Sequence, residues 1–209
     1  MTIVIDDLCK KIGEAVILEH ISLTMHSGNI YGFVGRNGSG KTMLMRHICG
    51  LLHPSSGTVS IDGKRVGADI GIPDNIGVII ETPGFLPEYS GFQNLRLLSM
   101  IRGTADKERI AETLRAAGLD PESKKHVGKY SMGMRQRLGI AQALMEDPDI
   151  LLLDEPMNGL DNEGVEEMRR LFLSLKEKGK LIVLASHSRE DIGLLCDEIF
   201  RFDKGRLLD

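Results

Sequence analysis

Apolar and polar positions alternate in two rhythms along this chain. Ile3 and Ile5 are separated by single residues, and further apolar runs cover Val16–Leu23 and Ile30–Val34, the last closed by Gly35. Short runs of this kind predict strands. Met43–Leu52 has helical spacing, which Pro54–Gly57 breaks. Thr58–Ile61 reads as a strand, Asp62-Gly63 as a hairpin turn and Ile76–Ile80 as a short strand. From Phe92 to Ala143 the spacing is helical, through Leu95/Leu98/Ile101, Ile110/Leu114/Ala117 and Arg135–Leu144. The last third alternates again. Ile150–Leu153 and Leu181–Ala185 predict buried strands, Glu163–Lys178 an amphipathic helix stopped by Gly179, and Asp191–Cys196 a short helix. Glu198–Phe202 and Arg206–Leu208 read as edge strands. Strands alternating with helices predict an α/β fold with a mainly parallel core sheet. Residues 1–209 then form a single domain, with a helical insertion at approximately 86–143.

Composition narrows the function classes. Apolar residues make up 42% and charged residues 27%, which argues against global disorder. No apolar run exceeds the five residues of Leu181–Ala185, against about twenty for a membrane-spanning helix. The N-terminal stretch lacks the basic and apolar segments of a secretory leader. Cys9, Cys49 and Cys196 show neither a disulfide framework nor a metal-ligand spacing, so a reducing, cytoplasmic setting is expected. A net charge of −4 and an aromatic content of 4% without Trp argue against nucleic acid as a partner.

Chemistry is concentrated in two places. Gly35-Arg36-Asn37-Gly38-Ser39-Gly40-Lys41-Thr42 matches G-x-x-x-x-G-K-[ST] between a predicted strand and a predicted helix. Glycines let the backbone curl so that successive N–H groups face phosphate oxygens, and the helix N-terminus adds partial positive charge. Lys41 reaches the β- and γ-phosphates, and Thr42 offers its hydroxyl to Mg²⁺. The second place is Asp149–Glu155, a buried strand ending in two carboxylates. Asp154 is placed to hold Mg²⁺, and Glu155 to polarise an attacking water as general base.

Tyr130-Ser131-Met132-Gly133-Met134-Arg135-Gln136-Arg137 starts a helix with Ser131 as N-cap. This segment resembles the signature of ABC-type ATPases, LSGGQ followed by a basic-Gln-Arg run. Met132 and Met134 replace the usual Gly and Gln, while Ser131 and Gly133 are kept. The resemblance covers almost the whole chain. Asp161, in Asn158-Gly159-Leu160-Asp161, falls at the family's D-loop, and His187 at its switch histidine. It implies ATP and Mg²⁺ as cofactors and an N-terminal antiparallel β subdomain beside the core sheet. Two departures stand out. Glu81, in Ile79-Ile80-Glu81-Thr82-Pro83-Gly84-Phe85, replaces the family's metal-contacting Gln, and Ile12 stands where an aromatic stacks on adenine. A third carboxylate beside Asp154 and Glu155 is expected to raise at least one of their pKa values.

Together with the signature, Glu81 resembles the bacitracin and lantibiotic protection branch of ABC ATPases, which implies antimicrobial-peptide export. One phosphate loop and one signature per chain imply a second ATPase subunit, an identical one by preference, closing head to tail. They also imply a separate transmembrane permease holding the chain at the cytoplasmic face of the membrane. Two other readings compete with it: a soluble ABC ATPase acting on DNA or ribosomes, and a degenerate half-site that binds ATP without cleaving it. The roughly 90-residue interval from Lys41 to Ser131 lacks sustained heptads, against the first; Glu155 and His187 argue against the second.

Overall fold

The computed structural model describes residues 1–81, 84–103 and 105–208; Thr82 and Pro83 of the junction around Glu81 lie outside them. The chain opens with a β-ribbon of β1 (Thr2–Ile12) and β2 (Ala15–His26). β3 (Ile30–Val34) leads into α1 (Lys41–Ile48), followed by β4 (Ser56–Ile61), β5 (Lys64–Arg65) and β6 (Ile76–Ile79). Three helices come next: α2 (Gly91–Arg102), α3 (Lys107–Ala116) and α4 (Met132–Leu144). The chain returns through β7 (Ile150–Asp154), α5 (Asn162–Glu177), β8 (Leu181–Ala185), α6 (Arg189–Leu195), β9 (Glu198–Asp203) and β10 (Arg206–Leu208).

Two sheets result. The first is antiparallel, in the order β2-β1-β4-β5, and the second runs β10-β9-β3-β8-β7-β6. Every pairing in the second is parallel except β10 on β9. Side-chain alternation divides the interior in two. Ile182, Leu184, Leu151 and Leu153 face a core built with α3, α4 and α5. Leu181, Val183, Ile150 and Leu152 face a core shared with α1 and the first sheet. All five residues of β8 are buried, as its unbroken apolar run predicts. Each fully buried Leu, Ile or Phe contributes about 1.5–3 kcal/mol, so the two cores clamp the central strands from both faces.

Helix ends follow local chemistry. Ser90 and Gln93 form a reciprocal cap at the start of α2, and Gly103 ends it at φ +70°. Asp106, Ser131, Asp161 and Ser188 cap α3, α4, α5 and α6. Two expectations are corrected, and the face buried by α2 is a third finding. The predicted Met43–Leu52 helix begins two residues earlier and ends at Ile48, because Gly50 turns at φ +75° against Gly71. Glu198–Phe202 is not an edge: β9 is flanked by β3 and β10. In α2 the buried residues are Gly91, Asn94, Leu95 and Ser99, whereas Ile101 is exposed. Asn94 earns its buried place through hydrogen bonds, donating from Nδ2 to Ser90 O (3.0 Å) and Leu86 O (3.1 Å) and accepting from Leu86 N–H (2.8 Å).

Candidate functional site

The C-terminal ends of β3, β7 and β8 lie side by side, and the loops leaving them build one site. Function gathers at that end of a parallel sheet. The loop from Gly35 to Thr42 closes tightly. At Gly40, φ is +110° and a Cβ would lie 2.6 Å from Leu18 Cδ2; at Gly35 one would lie 2.4 Å from the Phe202 carbonyl oxygen. Glycine is therefore required at both. No side chain caps the N-terminus of α1, so its N–H donors remain available to an anion. The Ser39 hydroxyl is buried beside them without a partner.

Lys41 is buried, and its ammonium donates to the carbonyls of Gly35 (2.8 Å) and Arg36 (3.2 Å). Burial pushes its pKa down, and the charges of Asp154 and Glu155 offset part of that. The Thr42 hydroxyl donates to Asp154 Oδ2 at 2.6 Å. The two groups assigned to Mg²⁺ are thus adjacent, and hydroxyl plus carboxylate is an oxygen donor set suited to that hard cation.

Glu155 sits at φ +50°, a left-handed conformation uncommon for a residue with a side chain. Its N–H donates to the Ala185 carbonyl (2.9 Å), and its own carbonyl accepts from Gln136 Nε2 (3.3 Å). Its buried Oε1 lies 3.2 Å from His187 Nε2 but makes no hydrogen bond, since that ring nitrogen is hydrogen-bonded to Asn37 Oδ1 at 2.8 Å. Burial raises the Glu155 pKa, with the neighbouring Asp154 charge a smaller contributor in the same direction. The expected rise is present, but its main cause is desolvation rather than a three-carboxylate repulsion. Glu81, at φ +65°, is ion-paired with Arg46 of α1.

These residues share a cavity of about 800 Å³. Asn37, Gly38, Lys41, Thr42, Glu81, Asp154, Glu155 and His187 line it, as sequence reasoning expects of one site. Tyr130, Met132, Arg135, Gln136 and Asn158 complete the lining and were not singled out from the sequence as site residues. Gln136 and Arg135 belong to the quoted signature run, which was the available signal. Ser131, Gly133, Asp161 and Ile12 are not brought into this cavity. Ser131 Oγ accepts from Met134 N–H (3.2 Å), and Asp161 Oδ1 from Gly164 N–H (2.9 Å). Gly133 packs so closely on the Gly159 carbonyl that a Cβ would approach it to 2.7 Å. Ile12 ends β1 at the tip of the ribbon and is exposed.

Comparison with known proteins agrees with this geometry. Residues 18–158 match the family model described as ABC transporter. The chain is 44% identical over 201 residues to the ABC transporter ATP-binding protein YybJ of Bacillus subtilis (strain 168), covering 96% of this chain and 92% of that protein. It is 43% identical over 205 residues to the bacitracin transport ATP-binding protein BcrA of Bacillus licheniformis, covering 97% of this chain and 67% of that one. Among solved structures it resembles the dimeric post-hydrolysis state of the ATP-binding cassette MJ0796 bound to ADP and Pi, at TM-score 0.88 and 25% identity over 99% of this chain and 97% of that one. With phosphate loop, acidic strand end and signature helix on one scaffold, the chain belongs to the ABC transporter family, as an ATP-binding cassette and ATP hydrolase.

Proposed function

We propose that this cassette powers export by a separate membrane permease, with antimicrobial peptides of the bacitracin or lantibiotic class as cargo. The observation that carries the catalytic half is the convergence of Lys41, the Thr42–Asp154 pair and the Glu155–His187 pair in one cavity. The phosphate loop, from Gly35 through Asn37, Gly38, Ser39 and Gly40 to Lys41, cradles the triphosphate. Thr42 and Asp154 hold Mg²⁺, and Glu81 joins them when it leaves Arg46. The cation supplies charge neutralisation between the phosphates. Glu155 takes a proton from the attacking water through its unpartnered Oε1, and a carboxylate held partly desolvated is a stronger base for that step. His187 contacts the γ-phosphate, and Ile12 lies against the adenine.

Ser131 and Gly133 would complete the site of a second, identical subunit set head to tail, and Asp161 would communicate across that interface. Exposure of Met132 beside them favours a surface that meets another molecule. The named relative BcrA favours the cargo assignment. A groove of about 350 Å³ lined by Leu51, Ile72, Leu98 and Ile101 offers the permease an apolar seat. Among the described residues no helix is long and apolar enough to cross a membrane, so this reading puts the chain on the cytoplasmic face through that permease.

The test is capture. Glu155→Gln is trapped with MgATP in native membranes, solubilised gently and purified with what it holds. A multi-spanning partner, recovered with two copies of the cassette, is the expected result. Ribosomes, DNA-bound proteins or the cassette alone would overturn the transport reading.

A further inference from the structure

The cysteine spacing carries no metal pattern in sequence, yet the fold gathers three ligand types at one point of the β1–β2 ribbon. The ligand atoms of Asp7, Cys9 and His20 all lie within 4.8 Å of one another. The strand pairing breaks register between Ile5 and Leu8 and again between Leu8 and Lys10. Leu8 and Cys9 are consecutive and both buried, so the two-residue alternation fails there. Asp7 and His20 both adopt positive φ, at +45° and +51°. Such backbone costs about 1–3 kcal/mol per residue and collects at functional places. β4 presses the kink into position: a Cβ on Gly57 would lie 2.2 Å from the Asp7 carbonyl oxygen.

We propose that Asp7, Cys9 and His20 bind a divalent ion of the zinc class, with a fourth position open to solvent. Thiolate, imidazole and carboxylate are the three donor types zinc accepts, and a soft thiolate beside imidazole disfavours Mg²⁺ and Ca²⁺. Bonds of about 2.0–2.3 Å in a tetrahedron separate ligand atoms by roughly 3.3–3.8 Å. Atoms within 4.8 Å of one another need to close by at most about 1.5 Å to reach that geometry. The His20 Nδ1 to Asp7 Oδ1 hydrogen bond, at 2.6 Å, must instead open, by roughly 0.7 Å. Nδ1 and the thiol both give up their protons to expose lone pairs, as metal binding requires. The outer contacts are in place: His20 N–H donates to Cys9 Sγ (3.2 Å) and Asp7 N–H to Ser22 Oγ (2.9 Å). Asp7 and His20 are exposed, which leaves the ion a way in. Such an ion pins both bulged strands of the ribbon two residues from Leu18, the side chain that packs on Gly40 of the phosphate loop.

The experiment uses the whole chain, freed of any purification tag, without nucleotide and in excess Mg²⁺ so that Asp154 does not compete. It is titrated with Co²⁺ and, separately, desalted after incubation with Zn²⁺ and analysed for retained metal. The expected result is stoichiometric zinc and a near-ultraviolet thiolate-to-cobalt band that Cys9→Ser abolishes. Asp7→Asn and His20→Gln change exposed side chains and should keep the fold, as judged by circular dichroism. Each should weaken zinc at least as much as the roughly 10–100-fold that loss of an outer partner costs. Absence of the band, its persistence in Cys9→Ser, or zinc retention by the variants equal to that of the parent chain would overturn the assignment.

Discussion

Replacing Asp191 with alanine should cost about 3 kcal/mol of folding stability, and the reason is the burial of its partner. Arg169 of α5 donates to Asp191 Oδ1 from Nε at 2.9 Å and from Nη2 at 2.5 Å. The two side chains are 10% and 6% exposed. Breaking a buried pair by removing one member typically costs about 3–5 kcal/mol, because the other charge stays desolvated without its counter-ion. Here Nη1 keeps Glu166 at 2.5 Å and Glu190 at 3.2 Å. Both carboxylates are more than half exposed, so each is worth at most about 1 kcal/mol, and the loss falls at the low end of the range. The backbone cap is untouched, since Ser188 Oγ accepts from the Asp191 N–H, not from its side chain. The assay is urea unfolding followed by circular dichroism, with the m-value checked for constancy. A second variant, Arg169→Met with Asp191→Leu, removes both charges and should lie within about 1 kcal/mol of the parent. A cost below about 1 kcal/mol for Asp191→Ala would refute the burial argument, as would a double variant that loses the sum of both single changes.

Burial pushes the Asp197 carboxyl up, but its hydrogen bond from Ile30 N–H and its ion pair with Lys176 outweigh that and hold its pKa below the usual carboxylate range. A depressed folded value gives stability that is present above the unfolded pKa of about 3.9 and is lost as pH falls through the folded one. Asp197→Asn should therefore cost about 1 kcal/mol at pH 7, with the gap closing toward pH 3; urea midpoints across that range check it, and a constant gap counts against it. Gly133→Ala forces a Cβ to 2.7 Å from the Gly159 backbone oxygen. Backbone yields poorly, so a loss of about 1–3 kcal/mol is expected, read as a fall in melting temperature; an unchanged melt would reject the close packing. Glu81→Gln removes a carboxylate from the cavity and from Arg46, and ATP binding should then depend less steeply on Mg²⁺ than in the parent. Equal slopes in a Mg²⁺ titration would sink that expectation.

Much of this was legible because the signals are local. The phosphate loop is contiguous, and a cap such as Ser131 announces a helix start from a single residue. Unbroken apolar runs located β7 and β8 because strands covered on both faces have no polar face to show. β9 was misplaced by the same logic. Glu198, Ile199 and Arg201 are exposed on a strand paired on both sides. Its polar residues report an uncovered surface, which one sequence cannot separate from an unpaired edge. Ile101 is a different case: its spacing placed it on the helix α2, but helical spacing says which residues share a side, not which side the rest of the chain covers. Contacts across long stretches were invisible. Nothing near Glu81 in sequence points to Arg46, thirty-five residues earlier, and nothing near Cys9 points to His20.

The position of β3 has a consequence for how the protein is made. Its neighbours in the sheet are β8 and β9, the Ile30 N–H is held by Asp197, and Gly205 N–H donates to the Ser39 carbonyl inside the phosphate loop (3.0 Å). The nucleotide cradle is encoded by residue 42 and Leu18 already packs beside its Gly40, but the bracing from Asp197, Phe202 and Gly205 waits until residue 205 has been synthesised. At about 5–20 residues per second, that interval lasts roughly 8–33 s. During it the apolar faces of β3 and α1 lack their later partners, a situation that favours aggregation. Nucleotide binding is therefore expected to wait on pairings made long after the loop itself is synthesised, with aggregation as the competing outcome until then.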